Sequence, residues 1–173
     1  MLHHLHHFAI DLARKVGLAG LIGIDFILPR TSKQRRAQSP VVLEVNPRPT
    51  ATMELMERCT GRSQAGMHLA SLGVPLLRES TALQDGSKMY WGKAVLFANE
   101  TLTVSASVEQ HLVKCSSCLQ GRESGWPMVT DLPCSGTVIR PGHPVVSVFG
   151  VAESPRLVLR MLRINISKVM QGL

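Results

Sequence analysis

Asp25, Glu44, Asn46 and Arg48 are the residues of this chain whose types and spacing could do chemistry. Asp25 lies in the run Gly23-Ile24-Asp25-Phe26-Ile27-Leu28. The other three lie in Leu43-Glu44-Val45-Asn46-Pro47-Arg48-Pro49-Thr50. Side chains alternate along a strand, so Glu44 and Asn46 share one face and Val45 points to the other. With the two runs as arms of a hairpin, Asp25 falls opposite Glu44 and Asn46. Two carboxylates and a side-chain carbonyl supply the oxygen ligands a magnesium ion takes, and leave positions open for water and phosphate oxygens. Pro47 and Pro49 keep Asn46 and Arg48 extended, so Arg48 continues the polar line. A guanidinium there can grip a carboxylate or an acyl phosphate through two parallel hydrogen bonds.

These residues need elements to hold them. Leu5, Phe8, Ala9, Leu12 and Val16 fall at helical spacing, which predicts a helix over 4–16 with Gly17 as its stop. Gly20 to Leu28 reads as a strand, Pro29 to Pro40 as a polar basic loop and Val41 to Asn46 as the second strand. Thr50 or Thr52 is placed to cap a helix from Met53 to Cys59 that closes at Gly61. The start of that helix lies just beyond Arg48, where its N–H groups can face an anion. A further helix is predicted over Ser63 to Leu72, ended by Gly73 and Pro75. Its His68 reads as a core or capping residue first and a catalyst second. From Ser87 the pattern turns to β. Strands are predicted at Lys88–Ala98, Leu102–Val108, Thr137–Ile139 and Val145–Phe149, with a loop over Gly121–Pro133. Ser154-Pro155 then opens a basic amphipathic helix to about Met170.

The totals set outer limits. With 173 residues and a 45% hydrophobic fraction, the chain suits one ordinary domain or one and a half small ones. No apolar run reaches the ~18 residues of a membrane span. The N-terminus Met1-Leu2-His3-His4-Leu5-His6-His7 lacks the marks of a secretory signal, and the expectation is a cytoplasmic protein away from membranes. The net charge of +7 is scattered, apart from Arg30, Lys33, Arg35 and Arg36 in the polar loop. Aromatic residues make up 4% and none interleaves with that cluster, so a nucleic-acid platform is not expected. Cys115-Ser116-Ser117-Cys118 has C-x-x-C spacing, and Cys134 with His111 or His143 could complete a zinc set. Without a second C-x-x-C, thiols on a loop are the simpler expectation. His3, His4, His6 and His7 could form a metal patch but read first as an exposed helix start.

The combination of Gly23-Ile24-Asp25-Phe26 with Leu43-Glu44-Val45-Asn46-Pro47-Arg48 resembles the metal-binding strand pair of the ATP-grasp superfamily. The run Glu44-Val45-Asn46-Pro47-Arg48, followed by Thr50, Thr52, Leu55 and Thr60-Gly61, is similar to that of carbamoyl-phosphate synthetase large subunits. With Met53-Glu54-Leu55 and Asp131-Leu132-Pro133, Gly136-Thr137 and Gly142-His143-Pro144-Val145, the pattern looks most like a group of ATP-dependent carboligases. That group is associated with tetrahydromethanopterin-linked one-carbon metabolism.

The resemblance implies an α+β fold. Residues 1–78 would be the C-terminal portion of an ATP-grasp domain, an antiparallel sheet with flanking helices. Residues 86–173 would be a small β-rich cap with a C-terminal helix. It implies ATP and magnesium, or manganese in its place, with Asp25, Glu44 and Asn46 as metal ligands and Glu44 and Asn46 toward the nucleotide. Arg48 would face the carboxylate substrate or its acyl phosphate, which an amine or thiol then attacks. The family clasps ATP between two lobes, and only the later one is expected here. A separate N-terminal lobe or a homo-oligomer is therefore the expected partner. The alternative is a non-catalytic interaction module, an inactive remnant of such an enzyme.

Overall fold

The computed structural model describes residues 2–28, 40–75, 89–118 and 125–173, with the backbone alone at 2–4 and 118. The chain divides into two compact units, Met1–Gln84 and Asp85–Leu173. Helices and antiparallel sheet make up both, so the class is α+β as expected.

The first unit opens with α1 (Leu2–Val16), two residues longer at its start than the spacing predicts. Strands β1 (Gly23–Ile27) and β2 (Val41–Asn46) pair antiparallel, and the basic cluster at 30–36 lies outside the described residues. Helix α2 (Thr52–Thr60) ends where Gly61 turns left-handed and donates its N–H to the Glu57 carbonyl at 2.8 Å. Helix α3 (Gln64–Ser71) is capped by Ser63, whose Oγ accepts from the Gly66 N–H at 3.1 Å. Gln64 is buried between them. Its backbone N–H donates to Glu57 Oε2 at 3.2 Å and its Nε2 donates to the Arg62 carbonyl at 3.2 Å.

In the second unit, β3 (Tyr90–Phe97), β5 (Val129–Thr130) and β7 (Pro144–Ala152) form an antiparallel sheet in the order β3-β7-β5. Two-residue strands β4 (Leu102–Thr103) and β6 (Val138–Ile139) pair separately. Helix α5 (Pro155–Met170) starts at Ser154, whose Oγ accepts from the Leu157 N–H, and covers β3 and β7 with Val158 and Leu162. Gly92 and Gly150, paired across those strands, leave the room: a Cβ on Gly92 would stand 2.6 Å from Val158 Cγ1. Asn165 is fully buried and pins the helix by donating Nδ2 to the Phe149 carbonyl at 2.9 Å.

One predicted strand is overturned. Leu102–Val108 is β only over its first two residues, and helix α4 (Ala106–Cys118) follows. Ser105 caps it, accepting the Val108 N–H at 3.2 Å. Within it Val108 is half-buried and Leu112 and Cys115 are buried, at helical spacing, and this outweighs the strand preference of Val108. The same helix corrects the reading of the C-x-x-C as a loop. Cys115 is buried on α4, with Sγ 3.4 Å from His111 Nε2. His111 Nε2 also lies 3.1 Å from the Lys168 carbonyl and 3.2 Å from that of Val169, closing the end of α5.

Burial is uneven. Among the described residues, the buried apolar side chains run from Ala98 to Val169, all in the second unit. The first unit leaves Phe26, Ile27, Val41, Leu43 and Met56 exposed. No described helix is long and apolar enough to cross a membrane.

Candidate functional site

The β1–β2 register places Asp25 directly across from Glu44 and Gly23 across from Asn46. Directly opposed residues on antiparallel strands project to the same face. Asp25, Glu44 and Asn46 therefore stand together at one end of the hairpin. Asn46 Nδ2 donates to Asp25 Oδ2 at 3.2 Å. The two carboxylates are exposed and Asn46 is half-buried. The register slips between Asp25 and Phe26, because Phe26 pairs with Val42 and Leu43 has no opposite number. This bulge separates the polar end of the hairpin from an apolar end formed by Phe26, Ile27 and Val41.

The turn into α2 is fixed against the polar end. Thr50 lies over Gly23, where a Cβ would come within 2.5 Å of Thr50 Cγ2. Neither threonine caps α2 as the sequence predicts. Ala51 is the cap residue and makes no side-chain bond, while the Thr50 and Thr52 hydroxyls bond each other at 2.9 Å. The Thr50 N–H goes to Met53 Sδ at 3.3 Å.

Arg48 is placed just beyond the cluster, which it meets through its backbone while its guanidinium bonds elsewhere. Its N–H donates to the Asn46 carbonyl at 2.8 Å, and its Nη1 donates to the Pro49 carbonyl at 3.4 Å. The side chain is exposed, so the guanidinium can turn to an incoming anion without leaving a buried site.

His68 has a structural task. Its Nδ1 accepts the Leu21 N–H at 3.1 Å, which ties α3 to the entry of β1 and puts the ring proton of the neutral form on Nε2. Gly20 makes this approach possible: its φ is +91°, and a Cβ there would run into the imidazole. Gly20→Ala is expected to cost about 1–3 kcal/mol through the left-handed backbone and the displaced ring. Amide exchange at Leu21 reads the effect, and unchanged protection would contradict it.

The donor set at the hairpin end fits a hard divalent cation. Asp25 and Glu44 offer exposed carboxylate oxygens that leave room for water. Asn46 spends its amino group on Asp25, which leaves its carbonyl oxygen to turn outward. Among the described residues no three His, Cys, Asp or Glu side chains converge, and this pair of acids relies on an amide for its third oxygen. Cys59, Cys115 and Cys134 form no disulfide, and the side chain of Cys118 lies outside the described residues. The side chains of His3 and His4 lie outside them as well. His6 and His7 meet edge to face with centroids 6.0 Å apart.

No curated protein and no solved structure matches the chain. Residues 3–52, which carry α1, both strands of the hairpin and all of Asp25, Glu44, Asn46 and Arg48, match the family model of the ATP-grasp domain.

Proposed function

We propose that the first unit supplies the metal- and phosphate-binding half of an ATP-dependent carboxylate ligase. The observation that carries this reading is the Asp25–Glu44 pairing, with Asn46 bonded to Asp25, inside the segment that matches the ATP-grasp domain. Asp25, Glu44 and Asn46 would hold magnesium, or manganese, between themselves and the terminal phosphates of ATP. The bound ion supplies positive charge where phosphoryl transfer concentrates negative charge. Glu44 would serve two ions, as the resemblance to the ATP-grasp strand pair implies. Arg48 turns from the Pro49 carbonyl to hold the substrate carboxylate and then its acyl phosphate, which an amine or thiol attacks with loss of phosphate. The likeness to the carboligase group is part of this proposal and rests on the motifs quoted above.

Positioning carries much of phosphoryl transfer, so a second lobe must close over the adenine. That lobe can be joined to this chain in a longer polypeptide or be a separate chain or another copy. The exposed Phe26, Ile27, Val41 and Leu43 give it an apolar surface to meet. The same exposure would serve the alternative, a non-catalytic interaction module.

Manganese separates the two readings. Its paramagnetism should broaden the NMR signal of the Asn46 side-chain amide at concentrations that leave the second unit untouched. Asp25→Asn with Glu44→Gln should remove that broadening. Equal broadening in the double variant would place the metal elsewhere and leave the interaction module standing.

A further inference from the structure

Helix α5 buries Val158, Leu162, Asn165 and Val169, which leaves its opposite side to solvent. Arg156, Arg160 and Arg163 lie on that side, all exposed, at successive helical-turn spacing. They form a stripe spanning about 10 Å along the axis. The helix contains no acidic residue. Among the described residues none of the three arginines has a hydrogen bond or ion pair. Leu159 is 59% exposed and Met170 56%, so apolar side chains stand beside the charges. Toward the end of the helix an open groove of about 450 Å³ is lined by Arg163, Ile166, Ser167, Met170 and Gln171. The stripe thus runs into a mostly apolar trough with one guanidinium at its rim.

We propose that this face of α5 docks an acidic amphipathic segment of another protein. Three exposed guanidiniums at turn spacing match carboxylates repeating at the same spacing on a partner helix, each able to accept two parallel hydrogen bonds. Leu159, Ile166 and Met170 meet the apolar residues between those carboxylates, in the manner of a helix laid along a groove. A second copy of this chain is the wrong occupant. The chain carries +7, and in the second unit Glu109 is bonded to the Ser135 N–H and Asp131 to Ser147, so neither is set in a row of carboxylates that would match the arginines. A nucleic-acid strand would find charge but no aromatic ring on the face to stack its bases. A lipid surface would find the strongly apolar side of α5 already committed to the sheet, with only scattered side chains such as Leu159 and Met170 left to insert. The docking is independent of the metal-site reading, since it concerns the second unit alone.

The test uses the full chain and a fluorescein-labelled helical peptide of about four turns. The peptide carries Glu at i, i+4 and i+7 with Leu and Met between, and a scrambled peptide of the same composition is the comparison. One variant combines Arg156→Glu, Arg160→Glu and Arg163→Glu. A matched variant combines the exposed Arg14→Glu, Lys114→Glu and Arg140→Glu and has the same net charge, and circular dichroism checks both folds. Fluorescence anisotropy should show binding of the ordered peptide that weakens at least about tenfold in the α5 variant and less than about threefold in the matched one. Equal losses in the two variants would show that net charge alone is read, and overturn the proposal. So would absence of binding, equal binding of the scrambled peptide, or tighter binding of an RNA oligonucleotide or a phosphatidylserine vesicle through the same arginines.

Discussion

Glu44→Gln is expected to lower ATP-dependent ligation by roughly 10²–10³-fold when the lobe that clasps the nucleotide is present, in the range that loss of one transition-state charge contact produces. The substitution keeps the shape of the side chain and removes its charge. Glu44 is exposed on β2 and makes no hydrogen bond or ion pair among the described residues, so the fold has little to lose. The loss should therefore fall on kcat and on metal dependence rather than on stability. Asp25→Asn should behave in the same way but more mildly, because Asn46 can still donate to the new amide oxygen. Phosphate release from ATP across a panel of small carboxylic acids is the assay, with thermal unfolding beside it. Retention of most activity by Glu44→Gln, with an unchanged magnesium requirement, would remove Glu44 from the metal site.

The largest effect on stability is expected in the second unit. Phe149 is fully buried at the centre of β7, beneath Lys93 Nζ at 5.4 Å from the ring centroid. Its N–H donates to the Met128 carbonyl at 2.8 Å, and its carbonyl takes Asn165 Nδ2. Phe149→Ala removes the largest side chain of that core and should cost about 3–5 kcal/mol, a large share of what a small unit possesses. Phe149→Leu, closer in volume, should cost much less. Hydrogen exchange resolves where the loss falls. Protection should collapse across β3, β7 and α5, while α2 and α3 keep theirs. Equal loss in both units would mean that they unfold as one body.

The hairpin and its polar end were legible in the sequence because a strand has a period of two. With Asp25 opposite Glu44, Asn46 has to join them. The bulge at Leu43 was not legible, since alternation of Val41 to Asn46 gives no sign that one residue is left over. The cap of α2 was misread for a related reason. Thr50 and Thr52 are both good cap residues, but their hydroxyls satisfy each other and Ala51 takes the position. Helix α4 was hidden by β-branched residues around Val104 and Val108. Its true signal, Val108, Leu112 and Cys115 at helical spacing with Ser105 in front, spans a longer window than a strand. A structural rather than catalytic role for His68 was legible, but its partner was not. Its partner is the backbone of Leu21, 47 positions away.

The uneven burial of the two units bears on how much of this protein a cell can hold. A unit whose described residues bury no apolar side chain fully opens at low free-energy cost, and open chain is what quality-control proteases degrade. A second lobe seated on Phe26, Ile27 and Val41 would raise that cost by mass action. The abundance of this chain would then follow that of its companion, and any excess over stoichiometry would be cleared from its first unit inward.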